Sequence, residues 1–207
     1  MRDDGVDVTA TSTEVDGRRL RREQNREAVL HALVELFREG VYQPSSNEIA
    51  ERAGLSPRSL FRYFDDVDDL SRAAIEGQLA QARPLLDCGV GPDAPTATKI
   101  ERVVEARMTL FEAIAPAARA ARACAHRHPP VAAQLHDGRS YLRRQLRRLF
   151  APEMQGERAG VLPVIDALCS FDTHQLLRVD QNLSRSKTSS ALVGALETLL
   201  APLGGST

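Results

Sequence analysis

From Arg19 to Glu39 the apolar residues Val29, Leu30, Leu33, Val34, Leu36 and Phe37 recur at spacings of three and four. That pattern predicts one helix with a single buried stripe. Gly40 is placed to end it, because glycine adopts the left-handed backbone of a helix terminus without steric cost. Ser45 with Glu48 three residues later matches a reciprocal N-terminal cap, so a second helix is predicted from there to Gly54. Ser56-Pro57 supplies a further cap and a proline at the first helical position, opening a third short helix that runs to about Phe64. Asp65 and Asp66 precede a fourth, from about Val67 to Leu86, and suit its positive end. Residues 87–98 are rich in Gly and Pro and read as a loop. Beyond them, helices are predicted at about 98–115, 116–127, 130–150, 157–182 and 187–201, parted by prolines, the 155–160 stretch and Asn182-Leu183-Ser184. No useful run of alternating β-branched and aromatic residues occurs, so the class is all-α.

Ser46 to Tyr63, SNEIAERAGLSPRSLFRY, reads as one unit. With Ser46 as its first residue, Ile49, Ala53, Leu55, Leu60 and Tyr63 occupy the apolar seats that pack two short helices crossing at about 90–120°. Ala50 sits where the helices approach most closely, and Gly54 at the turn, where only glycine takes a positive φ at little cost. This combination is far more specific than any single short pattern. The outward positions of the third helix, Arg58, Ser59, Arg62 and Tyr63, are donors suited to base edges and phosphates. Ahead of the unit, Arg18-Arg19-Leu20-Arg21-Arg22 is a dense basic cluster that can reach a neighbouring groove or backbone.

Charge sharpens this picture. The 207 residues carry a net charge of -1. Residues 1–17 hold one Arg against five acidic groups and lack periodicity, so they read as a disordered acidic arm. Residues 18–64 hold nine Arg and six Glu, a local excess of +3. A hydrophobic fraction of 43% suffices for a buried core, no stretch is apolar enough to span a membrane, and no secretory leader opens the chain. Three distant cysteines, Cys88, Cys124 and Cys169, suit reduced thiols and a cytoplasmic location. No nucleophile elbow, zincin helix, Walker loop or dinucleotide fingerprint occurs, so neither an enzyme nor a cofactor is expected. His126-Arg127-His128 lacks partners at ligand spacing and reads as a helix end before Pro129-Pro130, without metal.

The segment from Arg22 to Leu70 resembles the DNA-binding domain of the TetR family of bacterial transcriptional regulators, above all through SPRSLFRYFDDVDDL. The string ALCSFDTHQLLRVDQNLSRSKTSSAL near the C-terminus is also similar to regulators of that family. The resemblance implies a three-helix DNA-binding domain with a helix-turn-helix, followed by a larger helical ligand-binding and dimerisation domain. It implies contacts to double-stranded operator DNA from Ser46, Arg58, Ser59, Arg62 and Tyr63, with Ser56 as cap; Arg18, Arg19 and Arg22 are added from the basic cluster. Two departures are evident. Phe61 stands where the family often has tyrosine, and Val67, after Asp65 and Asp66, where it usually has lysine. They keep a second reading open: a helical small-molecule-binding or scaffolding protein whose helix-turn-helix no longer docks on an operator.

The expected layout is a disordered arm over 1–17, a DNA-binding domain over 18–66 and an effector-binding and dimerisation domain over 67–207. By the resemblance, the chain is a ligand-responsive repressor that binds a palindromic operator as a homodimer. Its two C-terminal helices would form the interface through the stripes Leu162, Ile165, Cys169, Leu176, Val179 and Leu192, Leu196, Leu199, Leu203. Periodicity alone allows those stripes to face the subunit's own core equally well. Met108, Phe111, Leu135, Leu142, Phe171 and His174 are the expected walls of an effector pocket, with Cys124 beside them; ordinary core is the alternative at each.

Overall fold

The predicted stripe on the first helix lies against the side chains that follow it. The computed structural model describes residues 8–201, and every regular element among them is helical. They fall into two compact units, one ending at Gly77 and the other beginning at Gln78. In the first, α1 (Val8–Arg38) packs on α2 (Ser46–Ala53), and α2 on α3 (Pro57–Leu60). Val29, Ala32, Leu33, Val34, Leu36 and Phe37 of α1 are buried together with Ile49, Ala50, Leu60 and Phe64. Gly40 adopts φ +87°, and Val41 N donates to Leu36 O at 2.9 Å, which closes the helix as the glycine implied.

α1 takes in the last ten residues of the expected disordered arm. Residues 8–17 are helical, while residues 1–7 lie outside the described residues. No proline interrupts that segment, and extending a helix already nucleated downstream costs little. α3 stops at Leu60 instead of Phe64: Arg62 N and Tyr63 N donate back three residues, to Ser59 O and Leu60 O, and tighten the chain into a turn. α4 (Val67–Gln81) is capped by Asp66, whose Oδ1 accepts from Asp69 N at 2.7 Å. It ends short of Leu86. Arg83–Leu86 form a 3₁₀ turn around Pro84, which has no N–H to continue the α ladder.

The second unit is built on α5 (Thr96–Cys124). α5 packs against α6 (Pro129–Leu149), α8 (Phe171–Gln175) and α9 (Arg185–Leu200), and α7 (Leu162–Leu168) packs against α6 and α9. Ile100, Val103, Val104 and Met108 of α5 meet Leu146, Leu149, Ile165, Leu192, Leu196 and Leu200 in one core cluster. Two helices were expected over 98–127, broken at Pro116, and one is found. An interior proline costs about 3 kcal/mol. Burial of Leu110 and Phe111 before it and Ala117, Ala118, Ala120 and Ala121 after it keeps the helix continuous.

The expected helix over 157–182 is instead broken into pieces. Ser170 accepts from Thr173 N at 3.1 Å and starts α8 afresh just after α7 ends. A π-turn over Leu176–Asp180 follows, with Gln181 N donating to Leu176 O at 2.9 Å. Asn182, at φ +51°, turns the chain into Ser184, the cap of α9. No described helix is long and apolar enough to cross a membrane.

α5 also buries a lysine. Lys99 Nζ lies 2.5 Å from Glu153 Oε1 and donates to Pro92 O (2.8 Å) and Leu149 O (3.2 Å), so its three donors find three acceptors. Burial pushes the Glu153 carboxyl up, but hydrogen bonds from Lys99 and Thr96 outweigh it and hold the group below its usual value. Removing one partner leaves the other's charge buried. Glu153→Ala is therefore expected to cost about 3–5 kcal/mol in urea unfolding, and Lys99→Met with Glu153→Leu far less. A double-variant loss equal to the sum of the two single losses would show that the pair is not coupled.

Candidate functional site

The helix-turn-helix is fastened at each joint by its own residues. Glu48 N donates to Ser45 Oγ (3.3 Å) and Ser45 N donates to Glu48 Oε2 (2.7 Å), the reciprocal cap expected from the sequence. These bonds hold the Glu48 carboxyl below its ordinary value. Gly54 adopts φ +67°, and Leu55 N donates to Ala50 O at 2.9 Å, so the chain reverses at the position where a side chain would be strained. Ser56 Oγ accepts from Ser59 N at 3.3 Å and lies 2.8 Å from Ser59 Oγ, capping α3 with Pro57 at its first position. Arg52 then grips Glu39 with both guanidinium nitrogens, at 2.9 and 2.8 Å, tying α2 to the residue that follows α1. This fork was not foreseen, because the two residues are thirteen apart and share no local pattern.

The predicted contact residues divide by role. Arg58 and Arg62 are exposed and make no ion pair among the described residues, so both guanidinium groups are available to a ligand. Ser46, in the first turn of α2, and Ser59 are half-buried, the Ser59 hydroxyl being shared with Ser56. Tyr63 differs from expectation. It is half-buried, and its hydroxyl accepts from Asn25 Nδ2 at 3.1 Å, which braces the end of α3 against α1. The phenol proton remains free to donate outward. Beside it, the Arg26 guanidinium lies 5.1 Å from the Phe64 ring centroid. Arg19 and Arg22 are exposed on helical α1, and the side chain of Arg18 lies outside the described residues. Phe61 is half exposed beside the two arginines.

Residues 29–74, which contain this whole arrangement, match the family described as bacterial regulatory proteins, tetR family. By this match, residues 29–74 form an N-terminal domain of the TetR type. Solved structures extend the likeness to the fold of most of the chain. A protein from Rhodococcus sp. assigned to the TetR-family transcriptional regulators is 19% identical, with TM-score 0.63, over 86% of this chain and 100% of that one. Another so assigned, from Mesorhizobium loti MAFF303099, is 15% identical, with TM-score 0.65, over 87% and 97%. A gamma-butyrolactone receptor, an ArpA-like protein, is 18% identical, with TM-score 0.55, over 86% and 98%. No curated protein sequence matches the chain significantly.

In the second unit, five of the six expected pocket residues divide between two clusters. Phe111, Phe171 and His174 stack together, with centroids 5.6 Å apart for Phe111–Phe171 and for Phe111–His174, and 6.1 Å for Phe171–His174. Leu142 packs on the same group, and the Arg122 guanidinium sits 4.3 Å from the Phe171 centroid. Met108 instead joins the core with Ile100, Val104 and Leu146. The reason is that α5, as one unbroken helix, carries two adjoining apolar stripes. Leu135 is half-buried on α6, and Cys124 is buried at the end of α5. A groove of about 310 Å³, unforeseen from sequence, lies between the start of α5 and the end of α9, lined by Thr96, Ile100, Glu153, Arg158, Glu197 and Leu200 among others.

The stripes expected to form a dimer seam are mostly internal. Ile165, Cys169, Leu192, Leu196 and Leu200 all lie in the subunit's own core, while Leu162, Val193 and Leu199 pack against it. Leu203 lies outside the described residues. The apolar side chains left open are Val164 (49% exposed), Leu176 (47%) and Val179 (54%). The break before α8 explains the difference, since it turns the residues after Ser170 away from the α7 stripe.

Burial, reinforced by Arg178 and Arg119, pushes the His174 pKa down to about 4 from 6.5. The folded chain therefore holds a neutral imidazole where the unfolded chain titrates normally. Its stabilising effect is complete above pH 6.5 and is lost as pH falls towards 4. Urea unfolding at stepped pH is expected to show a loss of up to about 1.4 kcal/mol per pH unit across that window. His174→Phe should flatten that part of the profile, and an unchanged profile would assign the acid sensitivity elsewhere.

Proposed function

We propose that this chain is a ligand-responsive transcriptional regulator of the TetR type, a repressor that binds a palindromic operator as a homodimer and releases it on binding a small-molecule effector. The observation that carries this reading is the pair Arg58 and Arg62, exposed and unpaired on and just beyond a short helix whose start, turn and end are each fastened. A fixed helix with free guanidinium groups suits groove readout, because arginine reads guanine edges bidentately and grips phosphates. Residues 18–66 would bind DNA, with Arg18, Arg19, Arg22, Ser46 and Ser59 at the backbone and Tyr63 as brace and donor. Residues 67–207 would hold the effector and the partner subunit. Asp65 and Asp66, which favour the non-docking alternative, lose weight as evidence for it because Asp66 is spent on capping α4.

The helical fold shared with a gamma-butyrolactone receptor supports reading the second unit as a receptor for a small molecule. Phe111, Leu142, Phe171 and His174 are the aromatic and apolar groups best grouped to touch one, with Met108 and Leu135 nearby on the same helices. Release would follow from a population shift: an effector favouring one arrangement of the second unit supplies a coupling of about 1–3 kcal/mol. α4 passes from the first unit into the second and is the covalent route for it. A two-fold dimer would set two α3 helices about 34–36 Å apart, one DNA turn. Val164, Leu176 and Val179 are the exposed apolar residues suited to its seam.

Fluorescence anisotropy with DNA from upstream of the chain's own gene tests this reading. Specific binding that falls steeply with salt is expected. Weak binding that is equal for every duplex would sink it and favour the non-docking alternative. Arg62→Ala is expected to cost about 1–3 kcal/mol and to relax preference at one operator position. A loss uniform across sequences would assign Arg62 to phosphate alone. For the seam, Leu176→Glu with Val179→Glu is expected to give a folded monomer by sedimentation and circular dichroism; an unchanged dimer would place the interface elsewhere.

A further inference from the structure

α5 carries two buried cations, and only one of them is neutralised. Lys99 is matched by Glu153 and two carbonyl oxygens. Arg107, two turns further along, is 2% exposed. Its Nη2 donates to Leu142 O (3.3 Å) and Gln145 Oε1 (2.9 Å), whereas its Nε and Nη1 meet no acceptor. Among the described residues no carboxylate makes an ion pair with it. Asp166, one of the groups whose charge it senses, sits 3.6 Å from Arg143 instead. The thiols of Cys169 and Cys88 are also close by, but burial pushes Cys169 up to about 12, so it supplies no negative charge. Gln145 is itself fixed, donating to Leu86 O at 2.8 Å, so the guanidinium is held through Nη2 while its Nε and Nη1 stay unpaired.

A lone buried guanidinium without an anion is costly, because desolvation removes several kcal/mol that no partner returns. Its surroundings narrow what could complete it. The neighbouring residue Met108 and, one turn back, Val104 belong to the apolar core with Leu146, Ile165 and Cys169. One positive charge matches one negative charge, and a dianion would leave surplus charge among apolar side chains. Apolar surroundings suit an anion that carries its own hydrocarbon body better than a bare spherical ion.

We propose that Arg107 is the anchor of an effector site for an apolar monocarboxylic acid. A carboxylate oxygen takes one of the unpaired donors, Nε or Nη1, and the hydrocarbon body displaces contacts between α5, α6 and α7. The inference rests on reading the second unit as the effector domain, and it replaces a wholly apolar pocket with one built on a charge. Leu142, expected at the pocket wall, contributes its backbone carbonyl to the fixed side of the guanidinium.

The test titrates the full chain with formate, butyrate, octanoate and benzoate, against butyramide, benzamide and equal sodium chloride, by calorimetry and thermal shift. At least one acid is expected to bind saturably at one per chain, with its amide inert. Arg107→Met should weaken that binding about ten-fold or more. It should leave the melting temperature unchanged or raised, since an uncompensated buried charge has been removed. Arg107→Lys, which keeps the charge but loses the guanidinium, should also bind more weakly. Should the methionine variant fail to fold, that lysine variant and the comparison of acid with amide decide the matter. The proposal is overturned if no acid binds, if amide and acid bind alike, or if the Arg107 variants bind as tightly as the parent chain. Operator anisotropy separates the two readings. An acid that binds through Arg107 yet leaves operator affinity unchanged supports this site and removes its regulatory role, whereas specific operator binding with every acid inert overturns the site alone.

Discussion

The left-handed backbone at Gly54 is the constraint on which the first unit depends. A residue with a side chain would be strained at φ +67°, and a different backbone there would send α3 off in another direction. The neighbouring restraints only make sense around that turn. Ala50 is small enough to be buried at the close approach, Ser45 and Ser56 set where α2 and α3 begin, and Leu60 closes the apolar seat. The Arg52–Glu39 fork and the Tyr63–Asn25 hydrogen bond then brace the two ends of the corner against α1 and the residue after it. Arg58 and Arg62 are left facing solvent, with no ion pair among the described residues. A helix of four residues has little stability of its own. Its orientation comes entirely from this scaffolding.

The second unit has a different logic, that of a long helix with charge inside it. α5 runs through Pro116 because apolar and alanine side chains are buried on both sides of the proline, and that continuity places Lys99 and Arg107 on the same rod. Lys99 is satisfied completely and works as an internal clamp between the loop at Pro92, the end of α6 and Glu153. Arg107 is satisfied at one nitrogen only. Two cations in similarly dry settings thus have opposite electrostatic balance. The imbalance marks the place where the second unit lacks a negative group.

Much of the first unit was legible because its signals are local. The reciprocal cap at Ser45 and Glu48, the cap and proline at Ser56-Pro57, and the glycines at Gly40 and Gly54 each act over five residues or fewer. The TetR resemblance rested on the same stretch. What misled were signals whose local meaning is overruled by packing. Pro116 usually ends a helix, and did not. The run over 157–182 has a helical period, yet Ser170 and Asn182 break it where side-chain and backbone hydrogen bonds compete with the ladder. The absence of a proline let α1 start at Val8, inside a stretch whose composition suggested disorder.

The sequence by itself determined the helical class, the caps and turns of the helix-turn-helix, and the exposure of Arg58 and Arg62, since all of these follow from spacing and from intrinsic backbone preferences. Tertiary structure alone decided which face of each later stripe is internal. A period of three to four says that a helix has an apolar side, never what covers it; Leu192, Leu196 and Leu200 went to the subunit's own core, leaving Val164, Leu176 and Val179 outside. It decided as well that Lys99 would meet Glu153, fifty-four residues away, while Arg107 would meet no carboxylate. Charge compensation is a property of distance in space, and the chain's order carries no record of it.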